Sequence, residues 1–200
     1  LYEEQKDKTF FYEFYHDTNC LYDIDEEPVN ELNQEALETA LQVSMLFKAR
    51  IVPKIKVMRK IILDGSCTSS FQRTIKISEN GKLKTSKGII KIPTILLEEE
   101  AAKKISTNGK EVTYRLDRLG VSLLEISTSP DIKDPEHAKE IAELIGMIIK
   151  STGKKKEGIG SIRQDINISI KGSPRIEIKG FQDLKSIPKI PANSFKSSDL

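Results

Sequence analysis

The sequence predicts an α+β domain, with helices packed on a mostly antiparallel sheet. Three observations carry that prediction. Two segments place apolar residues at helical spacing behind capping signals. Several others alternate apolar and polar residues. Their order runs strand after strand with few helices between, which suits antiparallel pairing better than βαβ crossovers. The 200 residues suffice for one large domain or two small ones with a real core.

Residues 1–32 are irregular in pattern, although Phe10-Phe11-Tyr12 with Phe14 and Tyr15 reads as a strand. The acidic stretch from Asp23 to Glu27, ending at Pro28, reads as a loop. Asn33 then caps a helix over 34–48, with Glu35 in its first turn and Leu37, Ala40, Leu41, Ser44 and Met45 at helical spacing. Pro53 blocks its continuation. Residues 55–97 read as strands. Ile55, Val57, Ile61 and Leu63 share one parity, and Phe71 to Ile77 is followed by Asn80-Gly81, a hairpin turn signal. Ile89 to Leu97 is apolar enough for a buried strand. Val112, Tyr114 and Leu116 alternate, and Val121 to Ile126 is a further apolar run. The second helix is capped by Asp134, carries Pro135 at its first position, and lines Ala138, Ile141, Ala142, Ile145, Ile148 and Ile149 along one face before Gly153. His137 falls in its first turn and reads as a surface residue. Two strands follow, 161–170 and 175–179, around a turn containing Gly172, and the tail after Pro188 reads as loose.

The last two strands carry chemistry on one face. Ile162, Ile166, Ile168 and Ile170 alternate with Ser161, Arg163, Asp165, Asn167 and Ser169, and Ile176 and Ile178 alternate with Arg175, Glu177 and Lys179. If the apolar rows share a face, Asn167 faces Glu177 and Asp165 faces Lys179. Asp165 and Glu177 then become diagonal neighbours, about 7–8 Å apart at Cα, close enough to share a hard divalent cation. Arg163, Arg175 and Lys179 could hold phosphate oxygens beside them. A solvated sheet face with cross-strand ion pairs explains the same alternation. Glu125 is harder to read as decoration. It stands inside Val121-Ser122-Leu123-Leu124-Glu125-Ile126, where an acid must be paired, protonated or metal-bound. Glu98, Glu99 and Glu100 end another apolar strand, where a strand end or a helix start is the plainer reading. Arg59, Lys60, Arg73 and Arg118, taken singly, read as surface charges.

Other features narrow the class. A net charge of +2 gives no overall electrostatic footprint for nucleic acid. The sequence contains neither a Walker-type phosphate loop nor a dinucleotide fingerprint. Cys20 and Cys67 form no C-x-x-C pair and lack a glutaminase nucleophile pattern. No run approaches the roughly 18 apolar residues of a membrane span, no signal peptide precedes the domain, and a reducing cytoplasm suits the two cysteines.

Six ordered segments together resemble one family. They are Val57 to Ser66 with Ser69 to Thr74, Leu97 to Lys103, Tyr114 to Ile126, Ser129 to Ile132, Ser161 to Asn167 and Arg175 to Gly180. The chain is identified on them as a member of the GatB/GatE family of tRNA-dependent amidotransferases, over about residues 20–190. The segments Met58-Arg59-Lys60-Ile61 and Phe71-Gln72-Arg73-Thr74 resemble the archaeal E-type branch more than the bacterial B-type branch. The resemblance implies a cradle fold related to glutamine synthetase and guanidino kinases. It implies residues 1–19 as an irregular N-terminal segment, 20–190 as the cradle domain and 191–200 as a loose tail. The implied reaction uses ATP and Mg2+ to phosphorylate the Glu side chain of Glu-tRNA(Gln). Ammonia from an asparaginase-like glutaminase partner then displaces phosphate, in a heterotetrameric cytoplasmic assembly.

By the same resemblance, Glu99 and Glu125 match metal-binding glutamates at the amidation site, and Asp165 and Glu177 match acids of a nucleotide-metal site. Arg163 is implied in catalysis, and Lys179 and Arg59 in phosphate or substrate contact. The family's N-terminal Glu/His segment and its C-terminal tRNA-binding helical domains have no counterpart here, so the chain reads as a fragment. Two other readings stay open: a small-carboxylate phosphotransferase of the glutamine synthetase type, and a non-enzymatic module that grips tRNA or the glutaminase.

Overall fold

A computed structural model describes residues 7–158, 160–169 and 174–189 of the chain. Its centre is a long antiparallel hairpin, β4 (Phe71–Thr85) and β5 (Gly88–Glu99). Two short strands, β2 (Arg50–Ile51) and β3 (Val57–Ile61), pair with different stretches of β4, and β8 (Ser122–Ile126) pairs with β5. The sheet is antiparallel throughout. The α+β class and the mostly antiparallel sheet are as the sequence predicts.

The hairpin does not turn at Asn80-Gly81. Both residues lie inside β4, and the chain reverses at Ser86-Lys87. Tertiary packing overrides the local turn signal here. A Cβ on Gly81 would lie 3.1 Å from Ile92 Cβ, 3.2 Å from Ala49 Cβ and 3.3 Å from Phe47 Cβ. The glycine therefore lets the end of the first helix approach the strand, where the Lys82 N–H donates to the Phe47 carbonyl at 2.7 Å.

Helix α1 (Gln34–Leu46) begins where Asn33 accepts a hydrogen bond from the Ala36 N–H at 2.9 Å. Helix α2 (Pro135–Ser151) begins where Asp134 accepts from the His137 N–H at 3.0 Å. Each cap satisfies one of the amide donors that a first turn leaves unpaired. Both helices cover the same face of the sheet. Val43, Phe47 and Ile141 pack with Leu83, Ile90, Ile92 and Ile95, and Ala40 packs with Ile75, Ile77 and Leu97. His137 corrects the surface reading, because only 1% of it is exposed. Its Nδ1 accepts from the Lys133 N–H at 3.2 Å, so Nε2 carries the hydrogen toward Thr85 Oγ1 at 2.8 Å. The first turn of α2 is thereby tied to the tip of the central hairpin.

A second sheet, in the order β1-β7-β6, joins β1 (Thr9–Glu13), β7 (Glu111–Arg115) and β6 (Lys103–Asn108), with β1 and β7 parallel. The N-terminal segment is therefore partly regular, since β1 belongs to this sheet. Strand β6 carries no sequence signal: its residues are exposed on both faces and show no alternation. The sheet encloses Val112, Tyr114 and Leu116 with Phe10 and Phe14. Its tyrosines fix the neighbouring loop: Tyr114 Oη donates to the Asp64 carbonyl at 2.7 Å and Tyr12 Oη to the Gly65 carbonyl at 2.8 Å. The acidic loop is also more ordered than its composition suggests. Leu21–Ile24 forms a 3-10 turn whose buried Asp23 accepts from the Cys20 N–H at 3.0 Å.

The last hairpin pairs β9 (Gln164–Ile168) with β10 (Ile176–Phe181). Its turn at Gly172, Ile170 and the tail 191–200 lie outside the described residues. A 3-10 segment, Leu184–Lys189, follows it and packs against α2. Among the described residues no helix is long and apolar enough to cross a membrane.

Candidate functional site

Strand alternation divides the central sheet into a covered and an open face. Ile75 and Leu97 point toward the helices, so Arg73, Glu99 and Arg59 belong to that side, as do Leu124 and Ile126 on β8. The opposite side carries Lys60 beside Gln72, Thr74 beside Glu98, and Glu125 beside Leu96.

On the open face Glu98 is only 3% exposed, although neighbouring Glu125 is accessible. Its Oε1 accepts from Thr74 Oγ1 at 3.1 Å and meets Lys60 Nζ at 3.5 Å, and its Oε2 lies 3.4 Å from Gln72 Nε2. The amide of Gln72 is itself fixed, donating to the Glu99 carbonyl at 2.7 Å. Partial burial raises the Glu125 carboxyl above the ordinary range, and the charges of Glu98 and Asp165 push it further, against the pull of Lys60. Glu98, Glu125, Asp165 and Lys60 therefore form one electrostatic group. A carboxyl raised by burial and by neighbouring acids favours a proton or an added cation beside it.

The covered side holds a second group at the sheet's end. Arg73 is 6% exposed and pairs with Glu99 at 2.5 Å, while its Nη1 donates to the Asn30 carbonyl. This overturns its reading as a surface charge. Its Nε is buried with no partner among the described residues. Burial raises the Glu99 carboxyl, opposed by Arg73 and by a hydrogen bond from Tyr22. A small pocket of about 20 Å³ lies here, lined by Tyr22, Cys67, Gln72, Arg73, Glu99 and Gly120 among others.

The terminal hairpin keeps the predicted register at Asn167 opposite Glu177. Beyond Ile178 the register shifts, and the expected Asp165–Lys179 pair is replaced. Gly180, at φ +67°, turns its N–H onto Asp165 Oδ1 at 2.7 Å, and Lys179 lies 3.6 Å from Glu177 on its own strand. Arg163 reaches Glu100 at 2.8 Å, which also takes Arg118 at 2.9 Å. Arg59 lies over the Phe71 ring, 4.8 Å from its centroid.

The four acids expected on metal are thus not gathered as one set. Glu125 feels the charge of Asp165, Glu99 sits behind the sheet with Arg73, and Glu177 stands beside Lys179. Among the described residues no group of three or more His, Cys, Asp or Glu side chains is positioned to hold a metal ion. The chemistry of the open-face donors nevertheless suits a hard divalent cation, since all are carboxylate oxygens. Sequence alternation does not single out Glu98. The signal that finds it is the cross-strand pairing of Thr74 with Glu98 and of Lys60 with Gln72, which one strand's alternation does not disclose.

Comparison with known proteins agrees with the motifs. The profile of the GatB/GatE catalytic domain matches residues 18–196. The chain is 53% identical over 193 residues to the E-type subunit of the glutamyl-tRNA(Gln) amidotransferase of Methanocaldococcus jannaschii, covering 96% of this chain and 31% of that protein. It is 52% identical over 183 residues to the same-named protein of Methanosarcina acetivorans, covering 92% of this chain and 29% of that one. It is 51% identical over 190 residues to the same-named protein of Pyrococcus furiosus, covering 95% and 30% respectively. The chain therefore spans less than a third of the length of these relatives.

Proposed function

The chain belongs to the GatB/GatE catalytic-domain family, and from that premise we propose that it supplies the site where ATP activates the glutamate of Glu-tRNA(Gln) for conversion to Gln-tRNA(Gln). The observation that carries the reading is the open-face group of Glu98, Glu125, Asp165 and Lys60. The names of the relatives support the substrate.

Activation is needed for a physical reason. A carboxylate repels a nucleophile and offers only an oxide as leaving group. Transfer of the γ-phosphoryl group to a side-chain carboxylate oxygen breaks the bond to the β-phosphate and releases ADP. Ammonia then attacks the acyl carbon, the C–O bond to phosphate breaks, and the surplus proton passes to phosphate or water. Such transfers rely on positioning and charge stabilisation more than on a protein nucleophile. Lys60, beside Glu98, is proposed to neutralise phosphate charge, and Arg163, held by Glu100, to orient it. Arg59 and Lys179 are candidates for contacts at the margin. Glu125 and Asp165 are proposed as ligands of magnesium, which when bound would supply charge neutralisation on the polyphosphate. Glu99 is proposed to act from the Arg73 pocket and Glu177 from the edge of the hairpin. A cradle kinship with glutamine synthetase and guanidino kinases belongs to the same reading. So does an asparaginase-like glutaminase partner, which the family resemblance implies.

The test is acyl-phosphate and Gln-tRNA formation by the assembled amidotransferase carrying Glu125→Gln and Asp165→Asn. Each variant is expected to lose about 100-fold or more in kcat, the scale of one removed electrostatic stabiliser, with Glu-tRNA affinity within about twofold. Full activity in the double variant refutes the site. ATP consumption that proceeds equally with free glutamate replaces the substrate by a small carboxylate.

A further inference from the structure

The open face does not end at the acids. Toward the tip of the central hairpin it carries Lys82 directly opposite Lys91, with Lys84 opposite Ile89 on the next pair of that face. Leu83, Ile90 and Ile92 between them are buried against the helices, which sends all three lysines to the uncovered side. All three are exposed, and among the described residues none makes an ion pair. Like charges directly opposite each other destabilise an antiparallel pair, so the sheet gains nothing from this arrangement. The nearby acids are otherwise engaged. Glu79 pairs with Lys76 and Arg50, and Asp131 accepts the backbone N–H of Lys91 at 3.1 Å. Lys91 and Glu98 are seven residues apart on one strand, about 23 Å at strand rise. Ile92 and Ile95 both pack against the helices although three residues apart, so alternation breaks between them, beside Asn80 at φ +58°. The odd separation therefore keeps Lys91 and Glu98 on the uncovered side. Lys76 lies between them on the same face, and Lys60 stands at the acid end.

We propose that the open face of the β4–β5 hairpin, through Lys82, Lys84 and Lys91, is a docking surface for the phosphodiester backbone of the RNA whose aminoacylated end enters the carboxylate site. The proposal rests on the amidotransferase reading for the identity of that RNA. Charge complementarity selects the occupant. Three unpaired ammonium groups match a row of phosphates, and lysines, as point charges without a planar fork, hold a backbone without reading bases. The polarity of the face also fits: the polyanion lies over lysines while its aminoacyl end reaches acids about 23 Å away.

The test uses the assembled amidotransferase with Lys82, Lys84 and Lys91 all changed to Ala, and Lys150→Ala, at the end of α2, as a control. Glu-tRNA binding is measured without ATP from about 50 to 200 mM salt, where each lost phosphate contact lowers the log–log slope by about 0.7–0.9. The triple variant is expected to lose about 2–3 in slope. Its KM for Glu-tRNA should rise roughly tenfold at low salt, with kcat at saturating tRNA and KM for ATP unchanged. The lysines are exposed and mutually repulsive, so folding is retained, which circular dichroism checks. An unchanged slope and KM overturn the proposal. So does loss of assembly with RNA binding intact, which assigns the face to an acidic protein. If the wild-type assembly makes no acyl phosphate on Glu-tRNA, the amidotransferase reading fails by itself, and the ATP-free slope still decides the docking surface.

Discussion

Glu98→Gln separates charge from hydrogen bonding at the centre of the open face. Glu98 is almost fully withdrawn from solvent, so its partners decide the cost. Gln72 cannot rotate its amide without losing the 2.7 Å bond to the Glu99 carbonyl. A glutamine at 98 must therefore turn its oxygen toward Gln72 and its amide toward Thr74, whose hydroxyl can accept. Only Lys60 is left facing a donor, and its side chain is half exposed and can swing into water. The expected loss is about 1.5 kcal/mol, one net hydrogen bond to a charged group at the low end of its range. Glu98→Ala removes every acceptor and leaves Thr74 and Gln72 facing a void, for about 2–3 kcal/mol. Urea unfolding at constant m-value measures both. In the assembled enzyme both variants should lose acyl-phosphate formation to a similar extent despite their different stabilities. Wild-type turnover by Glu98→Gln, or equal stability of the two variants, refutes the reasoning.

Gly65→Ala places a Cβ 2.6 Å from Cε1 and Cγ of Phe10, at a backbone φ of +82°. The left-handed backbone alone costs about 1–2 kcal/mol for a non-glycine residue, and Phe10→Ala in the same chain should recover the steric part, read by urea midpoints. Burial and the charge of Asp64 push the Cys67 thiol up to about 11. Ellman's reagent at pH 8 should therefore label exposed Cys20 promptly and leave Cys67 protected until the protein unfolds, and equal rates contradict the packing of the Asp64 loop. The Lys87 ammonium, then the His137 N–H, hold the Asp134 carboxyl below its ordinary range. Its stabilising contribution is present above pH 3.8, the ordinary value, and is lost as pH falls through the lowered one. Asp134→Ala should lower the melting midpoint at neutral pH, with the gap to wild type closing as the wild-type carboxyl protonates.

The helices are legible in the sequence because caps and apolar spacing act within a few residues. Asn33 and Asp134 sit where the first turns need an acceptor. Equally legible are the residues that share a face within one strand, as at Asp165 and Asn167, and the ordered motifs that place the chain in its family. Which face is covered depends on the assembled fold. Glu98 and Glu99 are chain neighbours, yet they end on opposite sides of the sheet because α1 and α2 both pack against the side of Leu97. The same packing carries β4 through Asn80-Gly81 and buries His137 and Arg73. Alternation is a local property of the backbone, whereas partner strands and covering helices are chosen by residues far away in the chain. A site built across strands is therefore legible in its parts and settled only when they meet.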